Sequence, residues 1–171
     1  MKLGLAALGK ELHAGRNIEI QLLGGAAAML TGLLPGTMTT GDLDVVYPRP
    51  PGDVEEILDA AMRVADQQNL PRSWLNIEAG LFAHAIPDGW EARRVAIGTY
   101  GRLQVFALGR MDLIATKFFA HRAIDTEHLH AMGVTREEQR FVKNHLESLS
   151  GTLPDEKSRI EKALHILLEW L

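Results

Sequence analysis

The sequence contains no cysteine, which excludes disulfide bonds, thiolate metal sites and a cysteine nucleophile. It is compatible with a reducing compartment, and we expect a cytoplasmic protein. Long hydrophobic runs are missing as well. The longest weakly polar stretch, residues 22–34, is interrupted by three glycines and a threonine, whereas a helix that spans a bilayer needs about 20 apolar residues. The sequence therefore predicts a protein that does not enter a membrane.

Common targeting and nucleotide-binding signatures are also absent. The apolar residues 1–9 run directly into Lys10 and Glu11 without a small-residue cleavage site, so we expect a helix over 2–14 and no signal peptide. Neither the GxGxxG fingerprint nor a P-loop occurs, which argues against dinucleotide-binding and Walker-type folds.

The composition is that of an ordinary globular domain. The 171 residues are 46% hydrophobic and 23% charged, which suffices for one buried core. A net charge of -4 argues against a protein that coats nucleic acid. Residues 93–122 are nevertheless basic, and their cationic side chains either line an anion site or form the solvated face of a hairpin and a helix. These side chains are Arg93, Arg94, Arg102, Arg110, Lys117 and Arg122.

The apolar pattern of the first half predicts alternating strands and helices. Residues 18–22 alternate with a period of two, as a half-buried strand does. Residues 43–47 are rich in apolar and β-branched side chains and stop at Pro48, which also indicates a strand. Residues 54–65 place one apolar stripe on a helix.

The middle of the chain completes the predicted sheet. Residues 73–83 indicate a short helix or a loop. Residues 93–97 and 103–107 are typical of a hairpin that turns through residues 98–101. Together with the earlier strands, this pattern predicts an α+β fold with a small mixed sheet flanked by helices.

Beyond residue 110 the pattern is entirely helical. Thr135 and Glu138 fit a capping box, and Gly151 with Pro154 separates the last two helices. Because each helix carries one apolar stripe, we expect them to pack on the sheet. The prediction is a core over 1–110 and a helical C-terminal subdomain over 111–171. Its helices are expected at residues 111–121, 125–132, 136–149 and 155–170.

Asp42 and Asp44 open the second predicted strand and form the strongest chemical signal. The period of two puts both carboxylates on one face, while Leu43 and Val45 point to the opposite face, toward the core. Two adjacent carboxylates repel unless a cation neutralises them, and their oxygens suit a hard divalent metal. The alternative is an Asx-type turn at a strand entrance.

Gly24 and Gly25 follow the first predicted strand and precede an alanine-rich helix. Without side chains, this turn lets backbone amides approach a phosphate at the positive end of a helix dipole. A plain tight turn is the other interpretation of the same pair.

The order of these features along the chain is a strand, the Gly24-Gly25 pair, a helix, and Asp42-x-Asp44 on the next strand. This order resembles the nucleotidyltransferase fold of the DNA polymerase beta superfamily. Over residues 18–132 the chain is similar to the small bacterial toxins of AbiE-type toxin and antitoxin pairs and to a related uncharacterised nucleotidyltransferase-like domain family. The segments that carry this similarity include Leu75-Asn76, residues 111–117 and residues 122–125.

The resemblance implies a set of roles. Asp42 and Asp44 would hold one or two Mg²⁺ ions and be catalytic, with Lys117 and Asp125. Lys117 would bind nucleotide phosphate, and Asp125 would orient or deprotonate the acceptor. The nucleotide-binding residues would be Gly24, Gly25, Thr40, Lys117 and Arg122.

Three departures from that family pattern weaken the prediction of catalysis more than the prediction of nucleotide binding. Met38 replaces an arginine four residues before Asp42, and His128 replaces a second aspartate after Asp125. The third carboxylate expected on a later strand is missing, since residues 102–107 contain Gln104 and no acid. Asp88, Glu91 and Asp112 are the candidate substitutes.

The resemblance implies a magnesium-dependent transfer of a nucleoside monophosphate from a triphosphate to an RNA or protein acceptor, in a toxin with an antitoxin partner. A catalytically inactive protein that binds a nucleotide or a partner is the alternative, and a purely structural aspartate pair is a third.

Overall fold

The computed structural model describes residues 1–13 and 15–170. Its five strands form one mixed sheet in the order β3-β2-β1-β5-β4. The strands are β1 (Ile18–Leu23), β2 (Leu43–Arg49), β3 (Leu75–Asn76), β4 (Val95–Tyr100) and β5 (Leu103–Ala107). The central strand β1 is antiparallel to β2 and parallel to β5. Helices flank this sheet and make up the C-terminal half, so the predicted α+β class is confirmed.

Four helices accompany the sheet in the first half of the chain. They are α1 (Lys2–Glu11), α2 (Gly24–Leu30), α3 (Val54–Gln68) and the short α4 (Trp90–Arg93). The helix predicted over 2–14 is wrong at its end, because Leu12 is extended and Arg63 donates to the Glu11 carbonyl at 3.1 Å. Ala14, within that prediction, lies outside the described residues.

Strand β2 continues past Pro48 to Arg49, two residues beyond the predicted end. Its register with β1 shifts between Glu19 and Gln21, and Pro48 lies in the part of β2 opposite this shift. A proline lacks the N–H that a regular ladder needs, and a bulge removes that need. The proline is therefore tolerated inside the strand.

The hairpin of β4 and β5 is also longer than predicted. Tyr100 pairs with Leu103, so only Gly101 and Arg102 form the turn. Arg93 belongs to α4 and not to a strand. Between these elements, the segment predicted as a short helix or loop contains β3 and a 3-10 helix over Glu78–Ala85.

The C-terminal half consists of α5 (Arg110–Ala120), α6 (Ala123–Met132), α7 (Arg136–Thr152) and α8 (Lys157–Glu169). The capping box at Thr135 and Glu138 is confirmed. Gly151 lies inside the last turn of α7 and does not end it, because the Leu153 N–H still donates to the Leu149 carbonyl. The proposed boundary at residue 110 stays a prediction, and Leu171 lies outside the described residues.

Helix α5 connects the helical half to the sheet. It contacts α2, which packs on β1, β2 and β5, and it also contacts α6, α7 and α8. Eight consecutive residues of α5, 112–119, are buried, so one helix fixes both halves relative to each other. No helix within the described residues is long and apolar enough to cross a membrane.

Candidate active site

Strand register brings the glycine turn against the second aspartate. Leu23, the last residue of β1, pairs with Asp44 of β2, so the next residue, Gly24, packs on that carboxylate. Gly24 has φ +77°, and a Cβ at this position would collide with Asp44 Oδ2. Only glycine meets both requirements, a left-handed backbone and a missing side chain. The turn therefore leaves the Asp44 carboxylate at the end of the strand.

Gly25 brings two further polar side chains together. A Cβ at Gly25 would lie 3.2 Å from Cε1 of His128 and 3.4 Å from Oγ1 of Thr40. The Thr40 hydroxyl in turn donates to Asp42 Oδ1 at 3.3 Å. Residues from the loop before β2 and from α6 thus meet at the glycine turn.

The two aspartates lie as predicted with respect to the core. Leu43 and Val45 are buried, whereas Asp42 and Asp44 are partly exposed. Asn76, at the end of β3, donates its Nδ2 to Asp44 Oδ1 at 3.4 Å. Burial, followed by the charge of Asp42, raises the pKa of Asp44 above its ordinary value. The Asp44 carboxylate is therefore a site where an added cation is favoured.

A buried ion pair lies beside this carboxylate. Lys117 Nζ lies 3.1 Å from Asp125 Oδ1, and these side chains are 2% and 1% exposed. The same Nζ lies 2.9 Å from Nδ1 of His128. Burial lowers the pKa of Lys117, opposed chiefly by the charge of Asp125.

Arg122 completes this charge network. Its Nε donates to Asp125 Oδ2 at 2.8 Å, and its side chain remains 60% exposed. Burial alone would raise the pKa of Asp125, but the Arg122 hydrogen bond and the charge of Lys117 hold it below the ordinary value. Asp125 is therefore an anion that orients two cations, Lys117 and Arg122.

A cavity of about 670 Å³ opens on these groups. It is bounded on one side by strand ends and by α5 and α6, and on the other by the 3-10 helix and α8. The predicted site residues that line it are Gly24, Asp44, Lys117, Arg122 and Asp125. Gly25, Thr40 and Asp42 do not line it; Gly25 lies beside Thr40, whose hydroxyl donates to Asp42. The fold thus brings five of the eight predicted site residues to one cavity, and their roles stay predictions.

Residues 5–150 match the family model described as nucleotidyltransferase of unknown function (DUF6036). The chain belongs to this family. No curated protein and no solved structure matches it significantly. In the structure, β1 leads into α2, which begins at Gly24, and Asp42 lies just before β2 with Asp44 on it.

The third carboxylate expected of such a nucleotidyltransferase has no clear counterpart here. Asp112 is fully buried and pairs with Arg93 at 2.6 Å, and Glu91 accepts from Arg49 at 3.4 Å. Neither they nor Asp88 lines the cavity. Within residues 1–13 and 15–170, no group of three or more His, Asp or Glu side chains is placed to hold a metal.

The basic segment 93–122 does not form one anion site in this family member. Of its six cationic side chains, all of them described, only Lys117 and Arg122 line the cavity. Arg93, Arg94 and Arg110 instead pair with Asp112, Glu19 and Glu138. Met38, which stands where the resemblance implies an arginine, packs against the hydrophobic core.

Sequence reasoning missed three contributions to the site. Asn76 enters the sequence argument only as part of a similar segment, although a polar residue at the end of a strand is a usable signal. The bond between Lys117 and His128 depends on the angle between α5 and α6, which no spacing encodes. The wall formed by α8 follows from tertiary packing alone.

Proposed function

We propose that this protein is a magnesium-dependent nucleotidyltransferase that moves a nucleoside monophosphate from a triphosphate to an RNA or protein acceptor. The observation that carries the proposal is the convergence of Asp44, Lys117 and Arg122 on one cavity. A carboxylate for a metal ion and two cations for phosphates are what a metal-bound triphosphate needs. Membership of a nucleotidyltransferase family supports it.

The donor set fits one Mg²⁺ ion. Asp42 and Asp44 offer carboxylate oxygens, and Mg²⁺ is usually held by one or two carboxylates with substrate phosphates and water. The raised pKa of Asp44 is further support, because its cause is burial and the neighbouring Asp42 charge. A second ion would need a further carboxylate close to this pair, and no group of three or more His, Asp or Glu side chains among the described residues is placed to hold a metal. When bound, Mg²⁺ would neutralise charge on the phosphates and polarise the α-phosphorus.

The remaining groups position the triphosphate. Lys117 and Arg122 would bind its phosphate oxygens, and the Gly24 and Gly25 turn would let backbone amides approach them. An acceptor hydroxyl would then attack the α-phosphorus and give up its proton to water, while the bond from the α-phosphorus to the oxygen it shares with the β-phosphate would break and pyrophosphate would leave. Both Asp125 oxygens already accept hydrogen bonds, which favours a positioning role for Asp125 over proton abstraction.

Transfer is tested by incubating the protein with nucleoside triphosphates labelled at the α-phosphate, together with total RNA or a protein extract. We expect label on one acceptor class with Mg²⁺ and none with EDTA. Label at the γ-phosphate must not transfer. Asp44→Asn should abolish the reaction, and Asp59→Asn, an exposed aspartate on α3, should not. Transfer that survives Asp44→Asn would contradict the proposal.

The second candidate is a family member that binds nucleotide without transferring it. Met38 on the core and the pairing of Asp112 with Arg93 favour this alternative. It predicts a nucleotide-dependent rise in melting temperature that requires Mg²⁺ and Asp44, with no labelled acceptor. The same preparation therefore separates the two functions.

A toxin role, with a cytoplasmic location and an antitoxin partner, is the biological setting that we propose for the transfer activity. It predicts that expression slows growth and that Asp44→Asn restores it. Toxicity that persists in Asp44→Asn would exclude nucleotidyl transfer as its cause. The antitoxin is sought by co-expressing genomic neighbours and measuring recovery of growth.

A further inference from the structure

The outer wall of the cavity comes largely from a segment beyond the family match. The match ends at residue 150, whereas five cavity-lining residues lie beyond it, at the start of α8 and just before it. They are Asp155, Glu156, Ser158, Arg159 and Lys162. The wall therefore combines residues inside the family match, among them Glu78 and Phe82, with residues beyond it.

An aromatic ring and a guanidinium face each other on this wall. Arg159 Cζ lies 5.5 Å from the ring centre of Phe82 and 5.4 Å from that of Phe119. Phe119 is buried, but Phe82 is 37% exposed and lines the cavity. Glu156 Oε2 lies 3.2 Å from Arg159 Nε, and this ion pair holds the guanidinium further. The result is a preformed pair of planar groups that suits stacking.

The charges on this wall disfavour a phosphate chain as its ligand. Glu78, Asp155 and Glu156 line it beside the two cations Arg159 and Lys162. Three carboxylates against two cations would repel a phosphate chain, but they can accept hydrogen bonds from amino and hydroxyl groups. A neutral planar group with N–H donors fits such a wall.

We infer that Phe82 and Arg159 form the nucleobase subsite of this protein. The inference rests on the proposed function, because it places the triphosphate at Asp44, Lys117 and Arg122. The base stacks on the Phe82 ring and the Arg159 guanidinium. The carboxylates of the wall then accept from the exocyclic amine or the ribose hydroxyls.

The test compares each nucleoside triphosphate with inorganic tripolyphosphate, both with Mg²⁺, by isothermal titration calorimetry on the full chain. Tripolyphosphate reports the phosphate half of the site alone. Base stacking on aromatic side chains predicts that the best nucleotide binds about tenfold more tightly than tripolyphosphate. We expect the four nucleotides to differ among themselves, since the polar groups of the wall distinguish base edges.

Two conservative variants remove stacking and keep size or charge. Phe82→Leu and Arg159→Lys should each weaken nucleotide binding about fivefold and leave tripolyphosphate binding within twofold. Arg140→Ala, an exposed arginine on α7 outside the cavity, is the control and should change neither. Equal affinity for nucleotide and tripolyphosphate in the wild type would overturn the base subsite and leave the proposed function standing.

Other outcomes are equally decisive. A variant that weakens both ligands alike would show that the wall acts on phosphates, which also overturns the inference. If neither ligand binds the wild type, the proposed function fails and the subsite with it. If the variants do not fold, an experiment on the wild type tests the same assignment. A photoreactive azido-base analogue of the best nucleotide should label peptides that contain Phe82 or residues 157–162. Labelling elsewhere overturns the assignment.

Discussion

Nζ of Lys117 lies 2.9 Å from Nδ1 of His128, inside a site where both side chains are buried. An ammonium group can only donate, so Nδ1 must accept and His128 must be neutral while Lys117 is charged. Burial, followed by the charge of Lys117, lowers the pKa of His128. A proton on His128 would add a second buried cation to the pair. At the position where the resemblance implies an aspartate, a charged Lys117 therefore meets a neutral acceptor.

We predict that acidification below about pH 6.5 lowers the free energy of unfolding. The folded pKa of His128 lies below its ordinary value of 6.5, so as the pH falls the unfolded chain takes up the proton first. Stability is then complete above pH 6.5 and is lost as the pH falls toward the folded pKa. The slope is at most about 1.4 kcal/mol per pH unit for one histidine. Urea unfolding between pH 7.5 and about 5 measures it.

His145 also contributes to this pH dependence of stability, because burial lowers its pKa as well. Its Nε2 donates to the Ala85 carbonyl at 2.9 Å. His128→Gln keeps an acceptor for Lys117 and should remove part of the slope. The double variant with His145→Gln should remove most of the rest. A slope that His128→Gln leaves unchanged would show that His128 already titrates normally in the folded protein.

Lys117→Met should destabilise the protein strongly. It leaves Asp125 buried with only Arg122 as a charged partner, and removing one member of a buried pair costs about 3 kcal/mol. Adding Asp125→Asn should recover about 1 to 3 kcal/mol, since the two changes act on one contact. Chemical denaturation of the single and double variants measures this coupling.

The matched control is the same substitution in an exposed pair. Lys143 lies 3.7 Å from Glu147, with both side chains about half exposed. Lys143→Met should change stability by less than about 1 kcal/mol. Equal losses for Lys117→Met and Lys143→Met would mean that the Lys117 and Asp125 pair is not buried in solution.

The sequence predicted most elements because their signals are local. The apolar stripe of 54–65 records which face of the helix is buried, and the structure confirms it. The alternation of residues 18–22 correctly predicts a strand, but the prediction of a half-buried strand is wrong, because Gln21 is fully buried in the centre of the sheet. Strand β3 has two residues, too few for any periodicity, and it exists because Leu43 and Asp44 of β2 offer an edge to pair with. The predicted end of β2 at Pro48 was wrong because the local sequence does not reveal a bulge.

The site residues likewise divide into those that the local sequence predicts and those that depend on tertiary packing. Gly24 directly follows Leu23, which pairs with Asp44, and Asp42 lies two residues before Asp44, so the proximity of these three residues was predictable. Arg159 reaches the cavity from a helix more than a hundred residues later. Nothing in its neighbours distinguishes it from other exposed arginines, because its position depends on how α8 packs against α5 and α7.

Asp44→Asn should separate stability from ligand binding. Burial and the charge of Asp42 disfavour the ionised carboxylate, so the amide should leave the free energy of unfolding in EDTA equal to wild type or a few tenths of a kcal/mol higher. In the wild type, nucleotide with Mg²⁺ at 100 times its Kd should add about 2.7 kcal/mol. Asp44→Asn should lose that gain. A large loss of stability in EDTA would assign Asp44 a structural role instead.

Gly24→Ala tests whether the turn exists to make room for the Asp44 carboxylate. Gly24 and Gly32 have nearly equal backbone angles, φ +77° and +76°, but a Cβ on Gly24 collides with Asp44 Oδ2 and one on Gly32 has no neighbour within 4 Å. Gly32→Ala therefore measures backbone strain alone, which is about 1 kcal/mol. Gly24→Ala adds the collision, and we expect it to cost at least about 1 kcal/mol more.

The two alanine variants should differ even more in function. If the carboxylate must sit where the glycine turn leaves it, Gly24→Ala weakens Mg²⁺-dependent nucleotide binding at least about tenfold, and Gly32→Ala leaves it unchanged. Equal unfolding free energies with nucleotide binding intact in both variants would show that Asp44 has another resting position. The carboxylate would then move freely toward its ligand, and the close contact at Gly24 would play no part in placing it.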